Sequence, residues 1–184
     1  MSAGLGMFTH NFPITKMAEI TGNLESTAKD MPEKDSIALF GFYTENEGNT
    51  SRCHHVYTWD RFIQSVLGEK FKMFQSILAL SKEGPLSDSS KMPFSRSAMY
   101  RIMGLLEEIV RDQSDTIHRA RLLYILSRME PERPSEVQLE AYRKFVFMMY
   151  EYTKDKEETR ELLTAIHVLI YGLREKGQRE EYHG

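Results

Sequence analysis

The sequence predicts a mainly α-helical protein: a helical bundle of about six helices with a short β-hairpin near residues 36–57. Three observations support this fold class. After residue 58, apolar residues recur at the three- and four-residue spacing of amphipathic helices. Serine, threonine or aspartate precedes several of these segments, as helix N-caps do. A short apolar and aromatic run, residues 36–44, lies between polar stretches and is typical of a strand.

The first 35 residues are expected to form a flexible or weakly structured N-terminal arm. They contain several residues that interrupt regular structure: Gly4, Gly6, Pro13, Gly22 and Pro32. A short helix around residues 14–28 is the only periodic stretch, and a glycine in its middle lowers its helical propensity. Residues 1–35 are therefore not expected to contribute to the core.

Residues 36–83 are predicted to hold the hairpin and two short helices. The returning strand is expected at residues 52–57, after a polar turn. Thr58 can then cap a helix from Trp59 to about Leu67, and a second helix is expected from Lys70 to Lys82 after a break at Gly68. Because an isolated hairpin is marginally stable in water, it should pack on the helices or pair with another chain.

Residues 84–93 are rich in serine, proline and charge, and are predicted to be a linker between two parts of the chain. A four-helix region, residues 94–177, follows, and residues 178–184 are a charged tail. The expected starts of the four helices are Ser95 or Ser97, Ser114 or Asp115, Ser135 with a capping box to Gln138, and Asp155. The short connections indicate antiparallel neighbours.

Composition excludes several classes of protein. The net charge of −3 gives no strong basic field for nucleic acid. A single cysteine, Cys53, excludes an internal disulfide, and neighbouring side chains of a strand at Cys53-His54-His55 face opposite ways, so no metal site is expected. No glycine-rich phosphate loop is present, so no cofactor is expected. Without a secretory signal or a transmembrane segment, an intracellular, soluble protein, cytoplasmic or nuclear, is expected.

The sequence does not predict an enzyme. His167 lies beside the apolar stripe of the last helix and is expected to be a hydrogen-bonded core or boundary residue. The adjacent pairs Glu107-Glu108 and Glu157-Glu158 point about 100° apart on a helix, so solvated helix faces explain them better than a catalytic dyad. A dispersed active site around His167 and Tyr124 is the less favoured alternative.

The helix that begins at Ser135 carries more apolar surface than a small bundle needs. From Phe145 to Tyr152 its apolar residues surround nearly the whole helix, which indicates a central position or a shared interface. Aromatic residues and methionine are also what protein interfaces favour. The candidate interface residues are Phe145, Phe147, Met148, Tyr150 and Tyr152.

The preceding helix carries a basic rim. Residues 96–129 hold six arginines against four acids, and guanidinium groups suit bidentate contacts with phosphate or carboxylate. The candidate phosphate-binding residues are Arg119, Arg121 and Arg128. Because the surplus is only two charges, ion pairs with glutamates on neighbouring helices are the favoured alternative.

Two functions are consistent with these features. The favoured one is a non-enzymatic intracellular interaction or assembly protein, which binds itself as a homo-oligomer or docks a protein partner through an apolar helix. The alternative is a small helical protein that assembles on a nucleoprotein, with the arginine rim contacting nucleic acid. Viral matrix or nucleocapsid-associated proteins and the small subunit of an RNA-guided complex are examples of that second class.

Overall fold

The computed structural model describes residues 1–9, 11–40, 43–44, 51–52, 55–82, 95–131 and 134–182. The predicted fold class is confirmed: the protein is mainly helical, with a small three-stranded sheet. The chain divides into two compact units, residues 1–65 and residues 66–184. The linker expected at 84–93 lies outside the described residues, and the division falls earlier in the chain, between Ser65 and Val66.

The first unit is a small sheet with one helix packed on it. Its strands are β1 (Ala3–Gly6), β2 (Ser36–Phe40), β3 (Tyr43–Thr44), β4 (Ser51–Arg52) and β5 (Val56–Thr58), and its long helix is α1 (Ile14–Lys29). Strand β1 pairs in parallel with β2, and β2 pairs antiparallel with β5, so β2 is central. The antiparallel pairing of β2 with β5 and of β3 with β4 confirms the predicted hairpin.

The N-terminal segment differs from the weakly structured arm expected from sequence. Strand β1 and helix α1 lie within it, and Leu24 and Ala28 of α1 are fully buried against Ala38 of β2. Gly4 is needed rather than disruptive, since a Cβ there would lie 2.5 Å from the backbone nitrogen of Glu25. Burial of the inner face of α1 therefore outweighs the low helical propensity of Gly22.

One helical stretch connects the two units in sequence. It consists of α2 (Trp59–Arg61), a π-helical segment (Phe62–Phe71) and α3 (Lys72–Lys82). Thr58 caps it as predicted, since its hydroxyl accepts a hydrogen bond from the backbone N–H of Arg61 at 3.3 Å. The predicted break at Gly68 is absent because the helix continues there in the wider π-helical geometry.

The second unit holds the four predicted C-terminal helices: α4 (Arg96–Arg111), α5 (Thr116–Arg128), α6 (Glu136–Tyr152) and α7 (Lys156–Tyr182). Helix α4 packs on α5 and α7, while α6 packs on α3, α5 and α7. Helices α4 and α7 bury most of the apolar stripe that their spacing predicts, whereas α5 leaves Ile117 and Tyr124 exposed. The core includes Phe74, Met99, Ile102, Leu106, Leu122, Leu126, Phe145, Met149, Leu162 and Ile166.

The helix starts in this unit agree with the predicted caps. Ser95 caps α4 and Asp115 caps α5. The capping box of Ser135 with Gln138 is complete, and Asp155 accepts backbone hydrogen bonds of 2.9 and 3.0 Å at the start of α7. Helix α7 continues past Gly177, the predicted end, to residue 182. No helix in the described part of the chain is long and apolar enough to cross a membrane.

Candidate functional site

Helix α5 concentrates positive charge on an outward surface. Its thirteen residues, TIHRARLLYILSR, contain three arginines and a histidine but no aspartate or glutamate. Its inner face is fixed in the core by Leu122 and Leu126, which are 1% and 0% exposed. Because the helix repeats every 3.6 residues, side chains on the side opposite these two leucines face outward.

The outward residues form what we call the α5 face: Ile117, Arg121, Tyr124 and Arg128. They follow one another at intervals of four, three and four residues, so they share one side of the helix. Ile117 and Tyr124 are 56% and 62% exposed, and both arginines are exposed. The Arg128 guanidinium lies over the Tyr124 ring, 5.9 Å from its centroid. Within the described residues, Arg121 and Arg128 form no ion pair.

The predicted phosphate-binding residues therefore do not all lie on one exposed face. Arg121 and Arg128 lie together, whereas Arg119 is half-buried and donates a hydrogen bond of 3.1 Å to the Gln113 carbonyl oxygen. Tyr124 belongs to the same face but was not grouped with the arginines from sequence. Its spacing of three and four residues from Arg121 and Arg128 is the signal that would have identified it.

Pairing with glutamates on neighbouring helices, the favoured alternative for the arginines, is not seen for Arg121 or Arg128 among the described residues. An ion pair is found one helix earlier, where Arg111 contacts Glu108 at 3.0 Å within α4 itself. Such exposed pairs within one helix contribute little to stability. The charge of Arg121 and Arg128 is thus left to the solvent or to a ligand.

The predicted interface residues on α6 also differ in how far they are exposed. Phe145 is 2% exposed and packs edge-on against Phe74, with ring centroids 5.9 Å apart. It is a core residue and cannot offer surface to a partner. Phe147 is 64% exposed and Tyr150 is 37% exposed, while Met148 is half-buried. Successive residues of a helix are rotated by about 100°, so the aromatic residues of one run lie partly in the core and partly on the surface.

Tyr152, the last predicted interface residue, belongs to a buried ionic group that we call the Lys70 cluster. Lys70 is only 2% exposed, and its Nζ lies 2.6 Å from Glu158, 2.7 Å from Glu69 and 3.0 Å from Glu161. The same Nζ lies 4.5 Å from the centroid of the Tyr152 ring. The Tyr152 hydroxyl donates a 2.5 Å hydrogen bond to Glu69.

Three carboxylates around one ammonium leave the cluster with two excess negative charges. Burial by itself would lower the pKa of Lys70, but hydrogen bonds with Glu158, Glu69 and Glu161 outweigh burial and raise it above 10.5. The hydrogen bond from Lys70, with a second from Tyr152, lowers the pKa of Glu69 below 4.5. Lys70 therefore stays protonated wherever the fold persists near neutral pH.

The Lys70 cluster was missed in the sequence because its members lie far apart along the chain. Lys70 comes from the π-helical segment, Tyr152 from the end of α6, and Glu158 and Glu161 from α7. The Glu158 side chain is 37% exposed, as expected for a solvated face, but one of its oxygens also faces Lys70. The spacing of Glu158 and Glu161 by three residues on α7 is the only local signal.

His167 lies at the boundary of the core. His167 is half-buried on α7, with Nε2 3.8 Å from Glu107 Oε1 of α4 and its ring 6.4 Å from that of Tyr171. This agrees with a boundary position, and Tyr124 contacts Arg128 instead. Cys53 and His54 lie outside the described residues. Among the residues that are described, no group of three His, Cys, Asp or Glu side chains is arranged to hold a metal ion.

The helical part of the chain matches a known family. Residues 88–175 match the family model for the second helical domain of the Cmr2 subunit of the CRISPR RNA silencing complex. This segment includes α4, α5 and α6 entirely and most of α7. The matched family is therefore a helical domain of a subunit in that complex.

Similarity to curated proteins extends over nearly the whole chain. Three relatives carry the name CRISPR system single-strand-specific deoxyribonuclease Cas10/Csm1 (subtype III-A). The protein of Mycobacterium tuberculosis (strain ATCC 25618 / H37Rv) is 28% identical over 96% of this chain, that of Enterococcus italicus is 32% identical over 95%, and that of Streptococcus thermophilus is 27% identical over 95%.

The chain spans about a fifth of the length of these relatives: 18% of the first two and 20% of the third. It is thus similar to a part of the proteins named Cas10/Csm1. Of the two functions considered from sequence, this similarity agrees with the alternative that names an RNA-guided complex. It gives no support for a viral matrix protein.

Proposed function

We propose that this chain is an assembly module of a Cas10/Csm1-type subunit within an intracellular, RNA-guided type III complex. It docks a protein neighbour and contacts nucleic-acid phosphate through the α5 face. The observation that carries the proposal is the similarity to Cas10/Csm1 over 95% or more of the chain, together with an α5 face whose two exposed arginines have no ion pair among the described residues.

The module is proposed to act by binding rather than by catalysis. Its relatives are named deoxyribonucleases, but the chain corresponds to only about a fifth of their length. The charged group that the fold buries most deeply, the Lys70 cluster, is saturated by its own ion pairs and packs three helical segments together. Incubation with single-stranded DNA should leave the substrate intact. Cleavage that survives repurification and depends on His167 would contradict the non-catalytic role.

The surface proposed for protein docking is the outer side of α6 around Phe147. The Phe147 ring is 64% exposed and Val137 on the same helix is 73% exposed, so both offer apolar surface for a partner to cover. Arg143 and Lys144 lie between them on the exposed side, which gives the polar rim that interfaces have. A neighbouring subunit of the complex is the partner that the similarity favours over a second copy of this chain.

Reconstitution tests the assembly role. The full-length subunit that contains this chain should co-purify with the other subunits of its type III complex, and Phe147→Glu should reduce its incorporation at least tenfold. Glu140→Gln, an exposed change on the same helix, is the matched control and should assemble normally. Normal assembly of a folded Phe147→Glu protein would exclude this surface. Concentration-dependent self-association that Phe147→Glu abolishes would favour a second copy.

The phosphate contact is tested by salt dependence. Each phosphate neutralised on a single strand contributes about −0.7 to the slope of log K against log salt. Replacing Arg121 and Arg128 together with glutamine should therefore reduce the slope by about 1.4 if both contact phosphate. Lys16→Gln with Lys29→Gln removes the same charge from two exposed positions of α1 and should change the slope little. Equal slopes for the two double variants would contradict a specific role of the α5 face.

A further inference from the structure

We infer that the α5 face is a site for single-stranded nucleic acid, on which an unpaired base stacks against Tyr124 while the flanking arginines hold phosphates. The inference rests on the proposed function and adds the kind of ligand: a strand with unstacked bases, recognised without regard to sequence.

The exposure of Tyr124 is the first observation. The ring is 62% exposed, whereas two other tyrosines of the helical unit donate hydrogen bonds from their hydroxyls. Tyr142 is 3% exposed and its hydroxyl donates to the Leu126 carbonyl oxygen, and the Tyr152 hydroxyl donates to Glu69. Neither packing nor a hydrogen bond in the described structure explains why an aromatic ring occupies position 124.

The position of Arg128 is the second observation. Its guanidinium lies over the Tyr124 ring, 5.9 Å from the ring centroid, and the ring remains 62% exposed. An aromatic ring beside guanidinium groups is the arrangement with which proteins bind single strands, because every base has a π-face that can stack. Ile117, one helical turn before Arg121, adds apolar surface for a neighbouring base or sugar.

The charge pattern is the third observation. An anionic strand passing along α5 would meet no carboxylate from the helix itself. Arg121 and Arg128 are seven residues apart, which is about 10 Å along a helix, so they can reach phosphates on either side of a base at Tyr124. In duplex DNA or RNA the bases already stack on one another, so Tyr124 would have no partner. An acidic peptide would satisfy the arginines but would leave the tyrosine ring unused.

The experiment compares ligands that differ in one feature at a time. The probes are a 12-nucleotide oligouridine, the corresponding oligodeoxyuridine, an abasic strand of equal length, a duplex of the same length and poly-glutamate. Affinity for the chain is measured by fluorescence anisotropy at fixed salt. We expect both base-bearing single strands to bind at least fivefold more tightly than the abasic strand, since stacking is worth about 1–3 kcal/mol per base. The tighter of the two single strands identifies the sugar.

Variants then test whether the Tyr124 ring causes the preference for base-bearing strands. Tyr124→Ser should reduce the preference for base-bearing over abasic strands to less than twofold, whereas Tyr124→Phe should keep it. Ile14→Ser, which removes exposed apolar surface from α1, is the control and should bind like the parent. Thermal unfolding verifies that each variant is folded, which the exposed positions of Tyr124 and Ile14 favour.

Several outcomes would overturn the inference. Equal affinity for abasic and base-bearing strands would leave phosphate contact but remove stacking. Tighter binding of duplex or of poly-glutamate would assign the face to those ligands instead. No binding of any probe would remove the α5 face as a site, while the incorporation assay with Phe147→Glu still decides the assembly role independently.

Discussion

The Lys70 cluster and the α5 face both concentrate charge in the helical unit, yet they do so in opposite environments. Lys70 is 2% exposed and is surrounded by three carboxylates, whereas Arg121 and Arg128 are exposed and have no carboxylate partner among the described residues. A buried cation must be neutralised by its own protein because removing it from water is costly. An exposed cation is stabilised by water, so its partner can be a ligand.

This difference separates residues for stability from residues for binding. Changes in the Lys70 cluster should alter the free energy of unfolding and affect ligands only through the fold. Changes on the α5 face should alter ligand affinity and leave the fold intact. Four measurements test whether the two groups of residues differ in this way.

The largest effect is expected for Lys70→Met. It leaves Glu69, Glu158 and Glu161 facing one another without a cation, and removing one partner of a buried pair costs about 3–5 kcal/mol. Urea unfolding followed by circular dichroism measures the loss. Lys72→Met, on the exposed side two residues later, should change stability by less than about 0.5 kcal/mol. Equal losses for the two variants would show that burial of Lys70 has no special role.

A smaller loss is expected for Tyr152→Phe. The variant keeps the ring over Lys70 but removes the hydroxyl that donates to Glu69, and a hydrogen bond of this kind contributes about 1 kcal/mol. Tyr124→Phe is the matched change on the α5 face and should leave the unfolding midpoint unchanged. A Tyr152→Phe protein as stable as the parent would mean that Glu69 finds another donor.

Acid should weaken the Lys70 cluster by a modest amount. The pKa of Glu69 is lowered in the folded state, first by its hydrogen bond with Lys70 and then by that with Tyr152. Its contribution to stability is therefore present above pH 4.5 and is lost as pH falls through the folded pKa. Because Glu69 is 47% exposed, the effect is limited by solvent screening.

Urea midpoints between pH 7 and pH 3 measure this dependence, and Glu69→Gln should flatten it. The raised pKa of Lys70 gives the opposite pH dependence. The contribution of Lys70 to stability is fully present below pH 10.5 and is lost only as pH rises through the folded pKa. Midpoints that fall between pH 7 and pH 9 would therefore not come from Lys70.

The smallest effect on stability is expected for Arg121→Gln combined with Arg128→Gln. Exposed side chains without partners usually change stability by less than about 0.5 kcal/mol, so the unfolding midpoint should stay near that of the parent. The same protein should show the reduced salt slope described above. A stability loss above 2 kcal/mol would mean that these arginines hold the fold together and would remove the basis for a binding face.

Local rules predicted the helical part of the fold well. The caps at Thr58, Ser135 and Asp155 could be identified because the capping side chain and the N–H groups that it satisfies lie within three residues of each other. The N-terminal segment could not be predicted in this way. Its helix becomes stable when Leu24 and Ala28 pack on Ala38, a residue of a strand that begins seven residues after the helix ends.

The candidate site was predicted in part. Arg121 and Arg128 share a helix face by spacing alone, and sequence grouped them correctly as a basic rim. It did not show that Arg119 is bound by the Gln113 carbonyl oxygen or that Phe145 faces the core while Phe147 faces out. The exposure of Phe145 and Phe147 depends on which side of α6 its neighbours α3, α5 and α7 cover, whereas the Arg119 contact is local and depends on the turn between α4 and α5.

The sequence by itself determined the mainly helical class, the starts of the four C-terminal helices and the alignment of Arg121 with Arg128, since all of these follow from contacts within a few turns of chain. Only the tertiary structure decided that Lys70 is enclosed by residues of α6 and α7 while Arg121 and Arg128 of α5 remain outside. The physical reason is that burial is a property of the assembled helices. The same charged side chain is a stabilising partner inside the bundle and a binding group on its surface.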